Sequence, residues 1–336
     1  MRRIVLIAAA LVLAQTASAS EHASPTAANS GVGWRDIAIQ AAPLPLNGPD
    51  ALAPGVTFMG ALDITSPDID RLHGLSDLKF TSSTDFLAVS DEGWMAGARV
   101  KLDDAGRLVG IEKGRMQPLL GELGDRLFDR PRRGPDNYDT WADSEGLALL
   151  PGGQVLVSFE HHQRVWKYGV DRSGPDLPRA MISPPMAIDF NYGFEAVASD
   201  GRRGYYAAAE SGGVWHCRKD RCLPLADPPE PPTIQDAEMR ITSLDRDPLG
   251  RGLFVLERTY VPGRGNTVHV SLWRDPDKGG FERRELLLEL KPPLLVDNME
   301  GIAAVKTGRG VRLYLIADDN FSASQRSLMM AFDYAP

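Results

Sequence analysis

Residues 145–160 read Glu145-Gly-Leu-Ala-Leu-Leu-Pro-Gly-Gly-Gln-Val-Leu-Val-Ser-Phe-Glu160. A short apolar run enters a Pro-Gly-Gly turn and a second apolar run leaves it, which is the pattern of a β-hairpin. An acid stands at each end. Residues equidistant from the turn of an antiparallel hairpin face each other about 4.5–5.5 Å apart. The spacing therefore predicts Glu145 beside Glu160. Four other stretches repeat the pattern: 73–91 (HGLSDLKFTSSTDFLAVSD), 195–210 (EAVASDGRRGYYAAAE), 240–257 (RITSLDRDPLGRGLFVLE) and 300–318 (EGIAAVKTGRGVRLYLIAD). Their framing residues are His73 and Asp91, Glu195 and Glu210, Arg240 and Glu257, Glu300 and Asp318. Eight of the ten framing residues across the five copies are acidic, so each hairpin is expected to gather charge at one end. Like charges opposite each other are destabilising, which calls for a cation or a basic ligand among them.

Further strand pairs lie between the hairpins: 98–102 with 108–111, 164–171 with 179–183, 214–217 with 222–225, and 268–273 with 283–290. A hairpin plus a second pair makes four strands per repeat. The repeats start at 73, 145, 195, 240 and 300, spaced 72, 50, 45 and 60 residues apart. Four-stranded units at about 40–50 residues are the signature of β-propeller blades. The fold expected is all-β, with five blades counted and a sixth possible in 34–66 or in the long first period. The last repeat has only a hairpin and one more strand, 327–334, so Val56–Ile64 is expected to complete it and close the ring. The long first period carries an insertion at about 114–143, charged and Pro-rich, expected to lie over one face.

The composition fits a ring of short strands, with 33 Gly and 25 Pro among 336 residues and a hydrophobic fraction of 43%. Residues 1–19 read as a secretory signal peptide: Arg2 and Arg3, an apolar run from Ile4 to Ala14, then Ala17-Ser18-Ala19 as a cleavage site. The apolar run falls short of the ~20 residues a spanning helix needs. Residues 20–33 read as a flexible leader, and 34–336 as a single propeller domain. The expected location is periplasmic or secreted. Loss of the two leader arginines takes the net charge from −8 to −10. That excludes a general nucleic-acid binder, which needs a basic footprint, and suits a binder of cations. A monomer is expected. The only cysteines, Cys217 and Cys222, flank the turn Arg218-Lys219-Asp220-Arg221 and are expected to form a disulfide across it.

In a propeller the first strand of each blade lines the central channel, so the framing residues are expected to ring one mouth. Carboxylates together with an Asn amide are hard oxygen ligands suited to Ca²⁺ or Mg²⁺. The candidate cation ligands are Asp91, Glu160, Glu210, Glu257, Asp318, Asp319 and Asn320, with Ca²⁺ the expected ion. The candidate catalytic residues are Glu145, Glu195, Glu300, His73 and Arg258. The competing reading is structural, since acids at strand ends also cap turns and pair with Arg. Strand alternation from Glu160 sends His161 away from the channel and allows His162 to return. A zinc site there lacks a third ligand and is not expected. No Gly-x-Ser-x-Gly elbow is present, which argues against a Ser hydrolase of the usual kind.

Several motifs resemble a known family. They are D-x-E-G-L-A at 143–148 with V-S-F-E at 157–160, G-F-E-A at 193–196, V-L-E-R at 255–258, N-M-E-G-I-A at 298–303 and A-D-D-N-F at 317–321. Together they resemble the phytase-like domain described by the phrase "esterase-like activity of phytase". The resemblance runs from about Gly74 to Phe332. It implies hydrolysis of phosphomonoesters or phosphodiesters through Glu and Asp residues, on a small phosphoester or ester substrate. Two other classes stay open: a metal-dependent lactonase or carboxylesterase on the same ring, and a propeller that binds a ligand or protein without turnover.

Overall fold

The computed structural model describes residues 33–68, 72–130, 141–171, 174–175, 177–185, 193–226, 238–274, 280–281 and 283–336. The signal peptide, nearly all of the leader, and Arg132 and Arg133 of the insertion lie outside them. Four strands precede the first repeat: β1 (Arg35–Asp36), β2 (Gln40–Leu44), β3 (Ala51–Ala53) and β4 (Val56–Thr65). Blade 1 is β5 (Leu75–Phe80), β6 (Asp85–Ser90), β7 (Trp94–Leu102) and β8 (Leu108–Pro118), with β1 on its outer edge. Blade 2 is β9 (Ser144–Leu150), β10 (Gln154–Phe159) and β11 (Arg164–Asp171), edged by β12 (Gly174–Pro175) and β13 (Arg179–Ala180). Blade 3 is β14 (Ala196–Ser199), β15 (Tyr205–Ala208), β16 (Val214–Arg218) and β17 (Arg221–Ala226). Blade 4 is β18 (Arg240–Arg246), β19 (Gly252–Val261), β20 (Gly265–Arg274) and β21 (Arg283–Leu290). Blade 5 is β22 (Met299–Lys306), β23 (Val311–Ala317), β24 (Leu328–Tyr334) and, from the other end of the chain, β4.

The chain is thus a five-bladed β-propeller. The innermost strands β5, β9, β14, β18 and β22 pack in that order, and β22 returns to β5. Closure is made as the sequence predicts, by β4 pairing antiparallel to β24 from Leu328 opposite Asp63 to Tyr334 opposite Val56. Residues 34–66 form no sixth blade: they supply the edge of blade 1 and three strands of blade 5. The insertion begins later than its composition predicts. β8 runs to Pro118, and Leu119, Leu120 and Leu127 are buried, with Leu119 and Leu127 in the core between blades 1 and 2.

Each blade buries both faces, which is why its strands read as nearly continuous apolar runs. Side chains alternate between faces along a strand. Val197 packs toward blade 2 and its neighbours Ala196 and Ala198 pack toward blade 4. The core is therefore five clusters, one at each interface between adjacent blades. Cys217 and Cys222 face each other across β16 and β17 and are disulfide-bonded, with Cα atoms 3.9 Å apart. Lys219 takes a left-handed conformation (φ 53°) in the turn between them. Among the described residues, no helix is long and apolar enough to cross a membrane.

Candidate functional site

The inner strands all begin at one mouth of the ring, and four of them begin with a β-bulge. β5 carries an extra residue between Leu75 and Asp77, β18 between Ile241 and Ser243, and β22 between Met299 and Gly301. In β9 the extra residue falls between Ser144 and Leu147. A bulge re-aims a side chain that regular pairing would have placed elsewhere. The residues at this level are Ser76, Glu145, Thr242 and Glu300, joined by Glu195, which directly precedes β14. His73 and Arg240, aligned with Glu145 by the hairpin symmetry, stand three and two residues earlier than this level.

The bulges also displace the expected facing pairs. The Glu160 N–H donates to the Asp143 carbonyl (3.0 Å), so Glu160 stands opposite Asp143 instead of Glu145. The Asp318 N–H donates to Asn298 and the Asp91 N–H to Gly74, each at 3.0 Å. Glu257 is opposite Ile241, and Arg240 is opposite Arg258. In blade 3 the inner pair β14–β15 has no bulge, and its register, with Ala196 opposite Ala208, sets Glu195 level with Ala209. The hairpins thus stack the acids in two tiers. Glu145, Glu195 and Glu300 are set deeper. Asp91, Asp143, Glu160, Glu210, Asp318 and Asp319 stand nearer the rim.

The acids act on one another. Burial, then repulsion from Glu195, Asp143 and Glu160, holds the Glu145 carboxyl well above the usual carboxylate range. Burial and then Glu160, Glu210 and Glu300 do the same to Glu195. Asp91 is raised strongly by burial, then by Asp318 and Asp143. Glu160 is pushed up to about 8 by burial and Asp143, partly offset by His161. Glu300 is raised to about 7 by burial against the pull of Arg258, and Asp318 to about 6, chiefly by burial.

Some acids have fixed partners. Arg258 donates to Glu300 Oε1 at 2.7 Å, and the Asn298 amide donates to the same atom at 2.8 Å. Arg240 donates to Glu210 Oε1 at 3.1 Å. Asp319 is heavily engaged: Oδ1 accepts the N–H of Gly74 and of Phe321, and Oδ2 meets Ser327 Oγ and His73 Nδ1. His73 itself is at the rim, its side chain 42% exposed and its ring beside Phe321. Two predicted ligands face elsewhere. Arg258 points into the mouth, so strand alternation turns Glu257 to the other face of β19, toward His269 and Arg284. Asn320 is exposed in a left-handed conformation (φ 47°), with its amide donating to Gln325.

Among the described residues, one grouping of His, Asp and Glu side chains is placed to hold a metal ion. Asp143, Glu160 and His161 each offer a ligand atom, and these atoms lie within 4.8 Å of one another. His161 Nε2 is 2.9 Å from Asp143 Oδ2 and 3.8 Å from Glu160 Oε2. Alternation fails at His161 because β10 ends at Phe159, and a positive φ of 47° turns the imidazole back toward the acids. His162 stacks on Trp141 instead (4.0 Å). Gly193 makes room for the group: a Cβ there would lie 2.6 Å from Glu160 Cα. Two carboxylates suit a hard cation, and the imidazole widens the choice toward Mn²⁺ or Zn²⁺.

The channel is plugged beneath the mouth. Asp77, from blade 1, accepts from Ser243 Oγ of blade 4 (2.9 Å) and from the Leu147 N–H of blade 2 (2.8 Å). Lys79 donates to Asp77 at 2.7 and 2.8 Å and to the Ile302 carbonyl of blade 5 at 2.8 Å. Both are buried. The neutral neighbour at this level is Gly301, whose added Cβ would stand 2.8 Å from Asp77 Cα.

Fold and site together define a five-bladed propeller whose mouth is lined with carboxylates and is closed below by a buried ion pair. The chain belongs to the Phytase-like family, described as "Esterase-like activity of phytase", which matches residues 70–321. None of the curated proteins compared with it matches. Among solved structures it is similar to U3-55K, at 10% identity and TM-score 0.43, over 85% of this chain and 100% of that one. A protein proposed to be a gluconolactonase is similar at 12% identity and TM-score 0.41, over 91% and 93%. A chain of the nidogen/laminin complex is similar at 11% identity and TM-score 0.40, over 81% and 92%.

Proposed function

We propose that the protein is an exported, divalent-cation-dependent hydrolase of small phosphoesters that works at the acidic mouth, with Ca²⁺ the ion if the carboxylates alone bind it and Mn²⁺ the ion if His161 joins them. What carries the reading is a set of cation ligands and two guanidinium groups facing one mouth. Asp143, Glu160 and His161 would hold the ion, which would supply positive charge to a phosphate oxygen and to the attacking water. Arg258 and Arg240 add donors that match phosphate geometry. Glu300, raised to about 7, is suited to give or take a proton near neutral pH. Glu145 and Glu195 keep the floor of the site acidic, and His73 and Asp319 frame its rim. The family membership supports hydrolysis of an ester, and the leader-like N-terminus supports export.

A panel of phosphomonoesters, phosphodiesters, lactones and carboxyl esters tests this, each assayed in chelator and in millimolar Ca²⁺, Mg²⁺ or Mn²⁺. Phosphoester turnover that chelator abolishes is the expected result. Glu300→Gln should then reduce kcat by about a hundredfold or more. Turnover confined to lactones or carboxyl esters would replace the substrate class, and tight ligand capture without turnover would replace the enzyme reading.

A further inference from the structure

Each inner strand begins at the mouth, so the turn that ends it lies on the far face of the ring. The turns between the third and fourth strands of the blades lie there too. On blades 3, 4 and 5 these segments are 200–204, 218–221, 245–251, 274–283 and 306–310. They carry twelve Lys and Arg against seven acids, a net +5 in a chain that is −10 without its leader. The matching segments of blades 1 and 2 (81–85, 101–107, 151–153 and 171–179) carry −1, so the positive charge is gathered on one side of the far face. The fold sharpens it. Asp200 is buried and accepts the N–H of Arg202 (2.8 Å), the N–H of Gly204 (3.0 Å) and Arg218 Nε (2.8 Å). Asp247 is buried and accepts the N–H of Leu249 (3.0 Å) and of Arg251 (3.2 Å), and pairs with the Arg251 side chain. Asp245 accepts the Ala304 N–H of blade 5 at 2.8 Å. The acids are thus turned inward to hold the turns, while Arg202, Arg203, Lys219, Arg221, Arg246 and Arg309 are exposed.

We propose that this face docks on an anionic phospholipid bilayer and holds the acidic mouth turned away from it. Anionic headgroups attract Lys and Arg that come within about a Debye length. They repel the mouth, so the charge pattern sets the orientation as well as the contact. The bases stand on turns of three blades, a spread that suits a broad surface more than a single extended strand. Leu249 is 38% exposed in the turn that follows Arg246, and Leu223 is 52% exposed two residues after Arg221. An apolar side chain beside bases gains from the headgroup boundary of a bilayer and gains nothing from a dissolved polyanion. A second copy of the chain also offers acids, but Glu145, Glu195 and Glu300 are buried within its mouth. The contact does not depend on the chemistry of the mouth.

The test is co-sedimentation with vesicles of phosphatidylcholine alone and of phosphatidylcholine with about one-third phosphatidylglycerol. The chain from Ser20 onward contains every strand of the ring, and its use removes the apolar leader, which could itself enter lipid. Chelator is present throughout, so that no cation bridges the mouth to a headgroup. Binding to the anionic vesicles alone is expected, weakened by about tenfold or more between roughly 0.1 M and 1 M salt. Each exposed base is worth about fivefold, so Arg202→Ser/Arg203→Ser should weaken binding by about thirtyfold. Leu249→Ser should weaken it by about threefold or more. If the melting curve of the arginine pair shows misfolding, Lys219→Asn/Arg221→Ser carries the test with a loss of the same size; Asn tolerates the left-handed conformation of Lys219 (φ 53°). No binding to anionic vesicles, binding only when Ca²⁺ replaces chelator, or binding unchanged in a folded arginine-pair variant would overturn the proposal. Oligomers in sedimentation velocity together with unbound vesicles would assign the face to a second copy of the chain and overturn it as well.

Discussion

Stripped of divalent cations, the protein is expected to lose stability as pH rises from about 5.5 to about 8.5. Glu300 and Glu160 are carried from 4.5 to about 7 and about 8, and Asp318 from 3.8 to about 6. An acid whose pKa is higher in the folded state holds its proton more tightly there. Its penalty is absent below the unfolded value, grows between the two values and is complete above the folded one. Across the interval Glu300 costs the folded state on the order of 2 kcal/mol and Glu160 about 3 kcal/mol. They share neighbours, so together they cost on the order of 4 kcal/mol rather than the full sum. For a domain of this size about 2 °C accompanies each kcal/mol, so Tm in chelator should fall on the order of 8 °C. A cation bound among the acids removes the repulsion, and at a hundred times its Kd it adds about 2.7 kcal/mol. Melting curves followed by circular dichroism at both pH values, with chelator and with millimolar Ca²⁺, read both effects. A chelated protein as stable at the higher pH as at the lower would refute the electrostatic account. Curves that overlay with and without Ca²⁺, Mg²⁺ and Mn²⁺ would refute the cation site.

Three other outcomes are expected. Gly301→Ala pushes a methyl against Ile316 Cγ2 (2.7 Å) and Asp77 Cα (2.8 Å), and should lower the urea midpoint by the equivalent of about 1–3 kcal/mol; an unchanged midpoint would show that the axis can yield. Lys79→Met strands the buried Asp77 carboxylate and should cost about 3–5 kcal/mol, with part recovered in the Asp77→Asn/Lys79→Met double variant; no recovery would put the loss on packing. Replacing both Cys217 and Cys222 by Ser should cost about 2 kcal/mol, the entropy of a short closed loop, seen as a matching drop in Tm for wild type in reductant.

The blades were legible because hairpins announce themselves locally. An apolar run, a Gly-rich turn and a second apolar run recur five times, and closure by Val56–Ile64 followed from the short last repeat. The site was legible only as a neighbourhood. Symmetry about each turn locates a strand end to within a residue or two, and the bulges before Asp77, Leu147, Ser243 and Gly301 shift the pairing by one. A single extra residue leaves no mark in composition, so Asp143 came to face Glu160, and Ser76 and Thr242 took the level given to His73 and Arg240. Strand alternation turns His161 away from the channel, but that rule ends where β10 ends, at Phe159. Hairpin symmetry puts Glu257 with the mouth, but its neighbour Arg258 occupies that side of the strand. The plug of Asp77 and Lys79 left no motif, because its partners come from blades 2, 4 and 5.

The pairing of β4 with β24 bears on the order in which the molecule can be completed. Strand β24 is the middle of its sheet, flanked by β4 on one side and β23 on the other. Until residues 328–334 are available, two edges stand open and a gap of some 260 residues must be spanned to join them. Four blades can assemble as the chain lengthens, but the ring locks only when this last strand slides in. A ring has no natural beginning, however. Joining residues 56 and 334 through a short linker and opening the chain at the exposed turn of Pro151–Gly153 should move the seam to blade 2 and make the chain lock there instead.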